Sequence, residues 1–420
     1  MFKHIKMILA GAGGLIVLGI LVYQIPAVHS RLEWRLIVWS TYFQNTIDPV
    51  GKMPTPIPST PFATFTPQPP TPTLQATEPP TPTSTPLPTQ VSLSSPKYEP
   101  QGINNCGPAT LTMYLRMYGW GGNQDDIAQL IKPVPQDRNV NPDELVYFVR
   151  NRAGWLSAEF RVGGDLTLLK SLLAANFPVM IEEASKLSPA DAMGPNDDLW
   201  DGHYLLITGY NDADGMFTAQ DSNTASGGPD RKIPYGKLIK DWESFNYVYI
   251  LVYPPDQQAQ IQSILGSNWD VDQNRKNALA IAQAATAANP SDAFAWFNLG
   301  SNLVYFERYN EAAQAFDKAF EIGLPQRMTR YQFSPFFAYY YAGRIDYLIQ
   351  LTEYTYKPIP GYYSEEALLW HGYALYKQGN IAGAKADWSK ALSVHPNYCD
   401  AEYAINNYIQ ATYNLATCVP

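Results

Sequence analysis

The chain has 420 residues, 46% of them hydrophobic and 16% charged, enough apolar material for two to three folded units. Its formal net charge of −9 comes without a basic stripe, which excludes a nucleic-acid binder, because phosphates must be neutralised by Lys and Arg. The 35 prolines are unevenly spread and mark one segment as non-globular.

Lys3 and Lys6 precede an uncharged run from Met7 to about Ser30. An apolar run of about 20 residues is long enough to span a bilayer. A cleaved signal peptide has a shorter apolar region, about 7 to 15 residues, and a small-x-small cleavage site. Gln24-Ile25-Pro26-Ala27 makes a poor one. Residues 1–30 are therefore expected to be a cytoplasmic tip and an uncleaved transmembrane signal anchor. The lysines hold the N-terminus inside and place everything after the span outside the cytoplasm. Residues 31–52 begin RLEWRLIVWSTYFQNTID, arginines mixed with aromatic rings, the pattern of a juxtamembrane helix. Residues 53–96 repeat Thr-Pro pairs and carry one charge, Glu78. Such a segment buries no core and is expected to be a disordered, partly polyproline II stalk. At about 3.1 Å per residue it would hold the rest of the chain on the order of 100 Å from the membrane.

Residues 97–255 make the first globular unit. The run GPATLTMYLRMYGW predicts a buried helix ending at Gly119, with Pro108 at its first position. Cys106 then lies at or just before the helix N-terminus, where the positive end of the dipole favours a thiolate. A thiolate nucleophile needs a base, and the base needs an orienting group. His203 is the only histidine between 97 and 255, within DGHYLLITGYNDADGMFTAQDSN. Residues 204–210 read as a strand, NDADG as a turn and residues 216–221 as the returning strand. Across this hairpin His203 and Asp221 come close, and Asp221 can fix the imidazole tautomer. Asp212-Ala213-Asp214-Gly215 is half of a calcium-loop pattern without the terminal glutamate and reads better as the hairpin turn. Asp197, Asp198 and Asp201, near His203, read better as solvated loop acids than as residues shaping the cleft entrance. No CxxC, HExxH or other metal-ligand spacing occurs, so no metal or cofactor is predicted.

Gln101, Asn105-Cys106-Gly107-Pro108-Ala109, Gly202-His203-Tyr204 and Gln220-Asp221-Ser222 together resemble the C39-like cysteine peptidases of papain-like fold. The resemblance implies an α+β domain with Cys106 as nucleophile, His203 as base and Asp221 as its orienter. It also implies an oxyanion hole made by the Gln101 side chain and the Cys106 backbone N–H. DWESFNYVYILVYP, residues 241–254, resembles the closing strands of such a domain. The well-understood members sit on ABC exporters and cut leader peptides after Gly-Gly. This chain carries no GxxxxGK[ST] motif, so that substrate class does not transfer. The Gln101-to-Cys106 spacing is also one residue shorter than expected for the exporter peptidases.

Residues 256–420 change character. Trp296, Leu299, Gly300, Ala312, Phe316, Ala319 and Pro325 follow the tetratricopeptide pattern, a helix–turn–helix with a period of about 34 residues. Gly372, Ala384, Trp388, Ala391 and Pro396 repeat its second part, and Ala278, Ala282, Ala285 and Pro290 form a partial copy. FFAYYYAGRIDYLIQL, residues 336–351, reads as a degenerate middle copy. Such an array either binds a peptide or protein partner in its groove or only packs against the first unit. Cys399 and Cys418 are expected to pair if the tail folds back, closing a loop of about 20 residues for about 3 kcal/mol.

The predicted architecture is a membrane-anchored papain-like α+β domain followed by an all-α repeat domain. The function expected is thiol-dependent peptide-bond hydrolysis or acyl transfer on a peptide or protein substrate outside the cytoplasm. The alternative is a catalytically silent peptide-binding domain in a cell-surface adaptor.

Overall fold

The computed structural model describes residues 13–14, 17–49, 51–56, 86–225, 227–357 and 363–409. Lys3, Lys6, part of the expected membrane span, most of the Thr/Pro segment and Cys418 lie outside these residues. Residues 17–23 are helical, a turn follows at 24 and 25, and helix α1 (Pro26–Ile47) starts anew. Proline has no N–H to bond into the preceding turn, so the apolar run does not continue as one helix to Ser30. Among the described residues no helix is long and apolar enough to cross a membrane.

The stalk expected over 53–96 is corrected at both ends. Before residue 57, α1 lies on the globular body. Arg35 Nη1 donates to Asp191 Oδ1 at 2.9 Å, Asn45 Nδ2 donates to Met193 O at 2.5 Å, and Val38 is buried. Met53 packs on the helical repeats, and Tyr347 Oη donates to Pro54 O at 2.9 Å. After residue 85, strand β1 (Gln90–Ser92) pairs with Asn211, Tyr210 and Gly209. The alternation Val91-Ser92-Leu93 buries its apolar side chains against the core, a strand signal that the proline count obscured. The segment between these flanks, residues 57–85, lies outside the described residues.

The first unit is a two-sided antiparallel sheet. In chain order it contains helices α2 (Cys106–Arg116), α3 (Gln124–Ile131) and α4 (Pro142–Arg152), then strand β2 (Ser157–Arg161) and helix α5 (Leu166–Ala174). Strands β3 (Val179–Lys186), β4 (Trp200–Asn211), β5 (Met216–Asp221) and β6 (Arg231–Pro234) follow, then α6 (Tyr235–Glu243), β7 (Tyr249–Tyr253) and α7 (Gln258–Leu265). The strand order is β2-β7-β3-β4-β5-β6, with β1 beside the end of β4. Side chains alternate across a strand. In β4, Tyr204 and Leu206 join the core under α2 to α4, while Leu205 and Ile207 join the core under α5 to α7. Helices on both faces explain why HYLLI carries no polar residue after His203. The α+β expectation holds, and Thr110 Oγ1, donating to Tyr204 O at 3.2 Å, ties α2 to β4.

The second unit is a stack of helical hairpins. Helix α8 (Val271–Ala288) precedes the pairs α9 (Ala293–Tyr305) with α10 (Tyr309–Ile322), α11 (Ser334–Tyr341) with α12 (Ile345–Tyr356), and α13 (Glu365–Lys377) with α14 (Ile381–Val394). Helix α15 (Cys399–Ala404) follows. The degenerate middle copy is the α11–α12 pair. Small residues let the paired helices approach: a Cβ on Gly372 would lie 2.4 Å from Trp388 Nε1, and one on Gly300 2.6 Å from Phe316 Cε1. The two pairs have the same sequence spacing, which is the repeat made visible in packing.

The repeats sit on the catalytic-type unit through named bonds. Asn298 Nδ2 donates to Glu243 O at 2.8 Å, and Arg327 Nη1 donates to Trp200 O at 2.7 Å. Between the units lies a cavity of about 1850 Å³. The first helices of the pairs line it with Ser301, Tyr340 and Tyr373, facing Glu144, Glu182 and Phe245.

Candidate active site

Cys106 is the first residue of α2, and Asn105, at the N-cap position, makes no side-chain capping bond. The helix starts two residues earlier than predicted, which puts Pro108 in the third position, still within the turn whose N–H groups lack intrahelical acceptors. The loop before it is held by one side chain. Gln124 Oε1 accepts from Gly102 N at 2.7 Å and from Asn105 Nδ2 at 2.8 Å, while Gln124 Nε2 donates to Pro100 O at 2.8 Å. This fixes the backbone on both sides of Gln101. Gln101 itself is oriented by Ser222: Ser222 Oγ donates to Gln101 Oε1 at 3.0 Å, and Gln101 N donates to Ser222 O at 2.9 Å. With the amide oxygen engaged, the NH2 end is turned away from Ser222.

His203 and Asp221 are brought together by register. Asp221 on β5 pairs with Leu205 on β4, so His203 occupies the diagonal position two residues on, within reach on the same face. His203 Nε2 lies 2.8 Å from Asp221 Oδ1, and the Cys106 side chain lies close to the ring. The imidazole is buried, and burial opposes its charged form. The interactions with Asp221 and Cys106 outweigh this and push its pKa up to about 10. Cys106, His203 and Asp221 are thus brought together, and Gln101 is tied to Ser222, the residue next to Asp221.

Several residues of the site escaped sequence reasoning. Arg231 Nη1 binds Asp221 Oδ2 at 2.9 Å and approaches Glu183 Oε1 at 3.5 Å. Asp221 is fully buried, and Asn223 N donates to its Oδ1 at 2.8 Å. Burial raises the pKa of Glu183 to about 7, against the pull of Arg231 and His203. Its neighbour Glu182 is also buried, and desolvation holds its pKa well above the usual carboxylate range. Tyr204 Oη donates to Val140 O at 2.8 Å. Two acids inside the apolar strand VMIEEA were the signal that could have found this pair.

The repeats supply one wall of the cleft. Tyr331, Arg138, Glu182 and Tyr204 line a cavity of about 10 Å³ beside Cys106. Gly202 permits this closeness, because a Cβ there would lie 2.8 Å from Phe245 Cζ and 2.9 Å from Tyr331 Cδ1. The loop acids have partners from the repeats: Asp201 accepts from Tyr331 Oη, and Asp197 pairs with Arg327. Asp212, by contrast, bonds Lys170 Nζ at 2.5 Å and Tyr235 Oη at 2.8 Å on the far turn of the hairpin.

Comparison with known proteins agrees with the resemblance. Residues 86–250 match the Peptidase_C39 like family. No curated protein matches the chain. Among solved structures, a Bacillus anthracis protein described as C39-like is 18% identical, covering 39% of this chain and 96% of its own, with a TM-score of 0.31. Xylellain, a cysteine protease from Xylella fastidiosa, is 14% identical over 40% of this chain and 87% of its own, with a TM-score of 0.30. YrrB, a tetratricopeptide-repeat protein with an unusual peptide-binding site, is 19% identical over 38% of this chain and 78% of its own, with a TM-score of 0.27. Likenesses at these scores carry no argument about activity. The chain thus contains a C39-like domain with a helical-repeat partner.

Proposed function

We propose that the chain is a membrane-anchored, extracytoplasmic cysteine peptidase or acyl-transfer enzyme. The observation that carries this reading is the position of His203, 2.8 Å from Asp221 and beside Cys106, whose side chain helps raise the imidazole pKa. A protonated His203 gives a Cys106 thiolate its counter-charge. Sγ attacks the scissile carbonyl carbon, and the tetrahedral oxyanion is received by the Cys106 N–H and the Gln101 amide, each donor typically contributing about 3 kcal/mol. His203 then gives its proton to the leaving amine as the intermediate collapses to the acyl-enzyme. Water, or an incoming amine, attacks the thioester with His203 as base and returns Cys106 to its starting state. Asp221 keeps the ring oriented through both half-reactions.

The substrate is a peptide or protein, and the cavity between the units is its approach. Glu182 and Tyr331 line both that cavity and the space beside Cys106. Anchoring rests on the sequence alone, on Lys3 and Lys6 before the uncharged run from Met7 to about Ser30.

One feature favours peptide binding without turnover: the space beside Cys106 is only about 10 Å³ because Tyr331 and Arg138 fill the cleft. Incubation of the purified chain with a peptide library separates the two readings. Turnover that disappears in Cys106→Ala supports the enzyme. Peptide capture by both proteins, with no cleaved or transferred product, supports the adaptor.

A further inference from the structure

Glu144, Glu365 and His395 are far apart in the chain and meet beside the large cavity between the two units, where Glu144 and His395 reach its wall. Glu144 projects from α4, Glu365 from the first turn of α13, and His395 caps the end of α14. One carboxylate oxygen of each glutamate and one ring nitrogen of the histidine lie within 4.8 Å of one another. No other group of three or more His, Cys, Asp or Glu with this spacing occurs among the described residues.

An acidic cluster alone is not a site, but here the buried oxygens lack partners. Glu365 is 2% exposed and Glu366 7% exposed, and Oε2 of each accepts no hydrogen bond. The other oxygen of each is engaged: Glu365 Oε1 faces His395 Nδ1 at 3.1 Å, and Glu366 Oε1 accepts from Asn141 Nδ2 at 3.0 Å. Glu144 Oε2 accepts from Asn141 N at 2.7 Å. The His395 ring stacks on Tyr398 at 5.7 Å, which fixes its plane while Nδ1 faces Glu365. Asp137 and Lys132 are buried nearby.

We propose that Glu144, Glu365 and His395 bind one divalent cation of the zinc–manganese class, which clamps the catalytic-type unit to the repeats. One imidazole with carboxylates suits these ions, whereas Ca2+ and Mg2+ prefer all-oxygen shells of higher or stricter coordination. The ion would join α4 to α13 and α14, and so hold the repeats in the position that puts Tyr331 over the cleft.

The test uses the purified full-length chain, stripped with chelator and titrated with Zn2+, Mn2+, Ca2+ and Mg2+ by calorimetry and thermal melting. The expected result is one Zn2+ or Mn2+ per chain, with a Tm rise of about 5 °C or more at free ion about 100 times Kd. In Glu365→Gln and His395→Gln the rise should vanish. Metal-free Glu365→Gln should melt at or above metal-free wild type, because one crowded carboxylate is gone. A lower metal-free Tm would instead mark Glu365 as a structural hydrogen-bonding residue and count against the site. No stoichiometric binding to wild type, binding of Ca2+ or Mg2+ only, or Zn2+ binding unchanged in both variants overturns the proposal.

Discussion

His203 Nε2 stands 2.8 Å from Asp221 Oδ1, and Asp221 Oδ2 is held in turn by Arg231 at 2.9 Å. Asp221 is thus shared between an imidazole and a guanidinium in a fully buried position. Asp221→Asn keeps the shape and removes the charge. It is expected to lower turnover by about 10²- to 10⁴-fold, while Cys106→Ala and His203→Ala abolish it. Asp221→Ala is expected to cost stability as well, about 3–5 kcal/mol, because Arg231 loses its buried partner. Steady-state kinetics on a library-derived substrate, with denaturant melts of each variant, checks both halves. Equal activity in Asp221→Asn and wild type contradicts the orienting role.

The pH dependence follows from His203. Its folded pKa, about 10, lies above the usual value for an unfolded histidine, so the stability it contributes is present below about pH 6.5 and lost as pH rises through about 10. The Tm gap between wild type and His203→Ala should therefore shrink between pH 7 and pH 11. Because Tyr and Lys titrate in both proteins, the difference isolates the imidazole. A gap that stays constant over this range contradicts the assignment.

Glu182 is buried, and desolvation holds its carboxyl well above the usual range, so burial favours its neutral form. Glu182→Gln keeps the shape without the charge and should leave both Tm and turnover near wild type. Glu182→Ala should cost about 1–3 kcal/mol, because buried polar groups facing it lose a partner. A large loss in Glu182→Gln would mean that the charged form is the working one.

The wall over the cleft predicts coupling between the two units. Gly202→Ala inserts a methyl against Phe245 and Tyr331 and should cost about 1–3 kcal/mol. Tyr331→Ala should recover part of that cost, giving an interaction energy of about 0.5 kcal/mol or more in a double-mutant cycle. Strict additivity would place Tyr331 away from Gly202 in solution.

Much of the site was legible in the sequence because its chemistry is carried by rare residues in local contexts. Cys106 opens a helix, and His203 and Asp221 share one hairpin, although the register shift at Thr208 that puts them on one face was not legible. Gln101 was legible by resemblance, but its clamp by Ser222 and Gln124 needed the fold. Arg231, Glu182 and Tyr331 were not legible, since each reaches the site across a sheet or from another unit. The same holds for Glu144, Glu365 and His395, which no spacing motif connects. The boundary of the Thr/Pro segment was misplaced because composition averages over Val91 and Leu93, two side chains that the sheet buries.

The topology remains a proposal with a direct check. Protease added to intact cells is expected to release a fragment that begins in the Thr/Pro segment, if residues 97–420 lie outside the cytoplasm. Full protection of the chain in intact cells, with cleavage after lysis, would reverse the orientation.

The most direct test of the central claim is the alkylation rate of Cys106 by iodoacetamide at pH 6, followed by peptide mass spectrometry in wild type, His203→Ala and Asp221→Asn. If His203 and Asp221 activate the thiol, wild type reacts fastest, Asp221→Asn more slowly, and His203→Ala at least about 10²-fold more slowly than wild type. Equal rates in the three folded proteins would show that Cys106 is not activated by His203 and would contradict the enzyme reading.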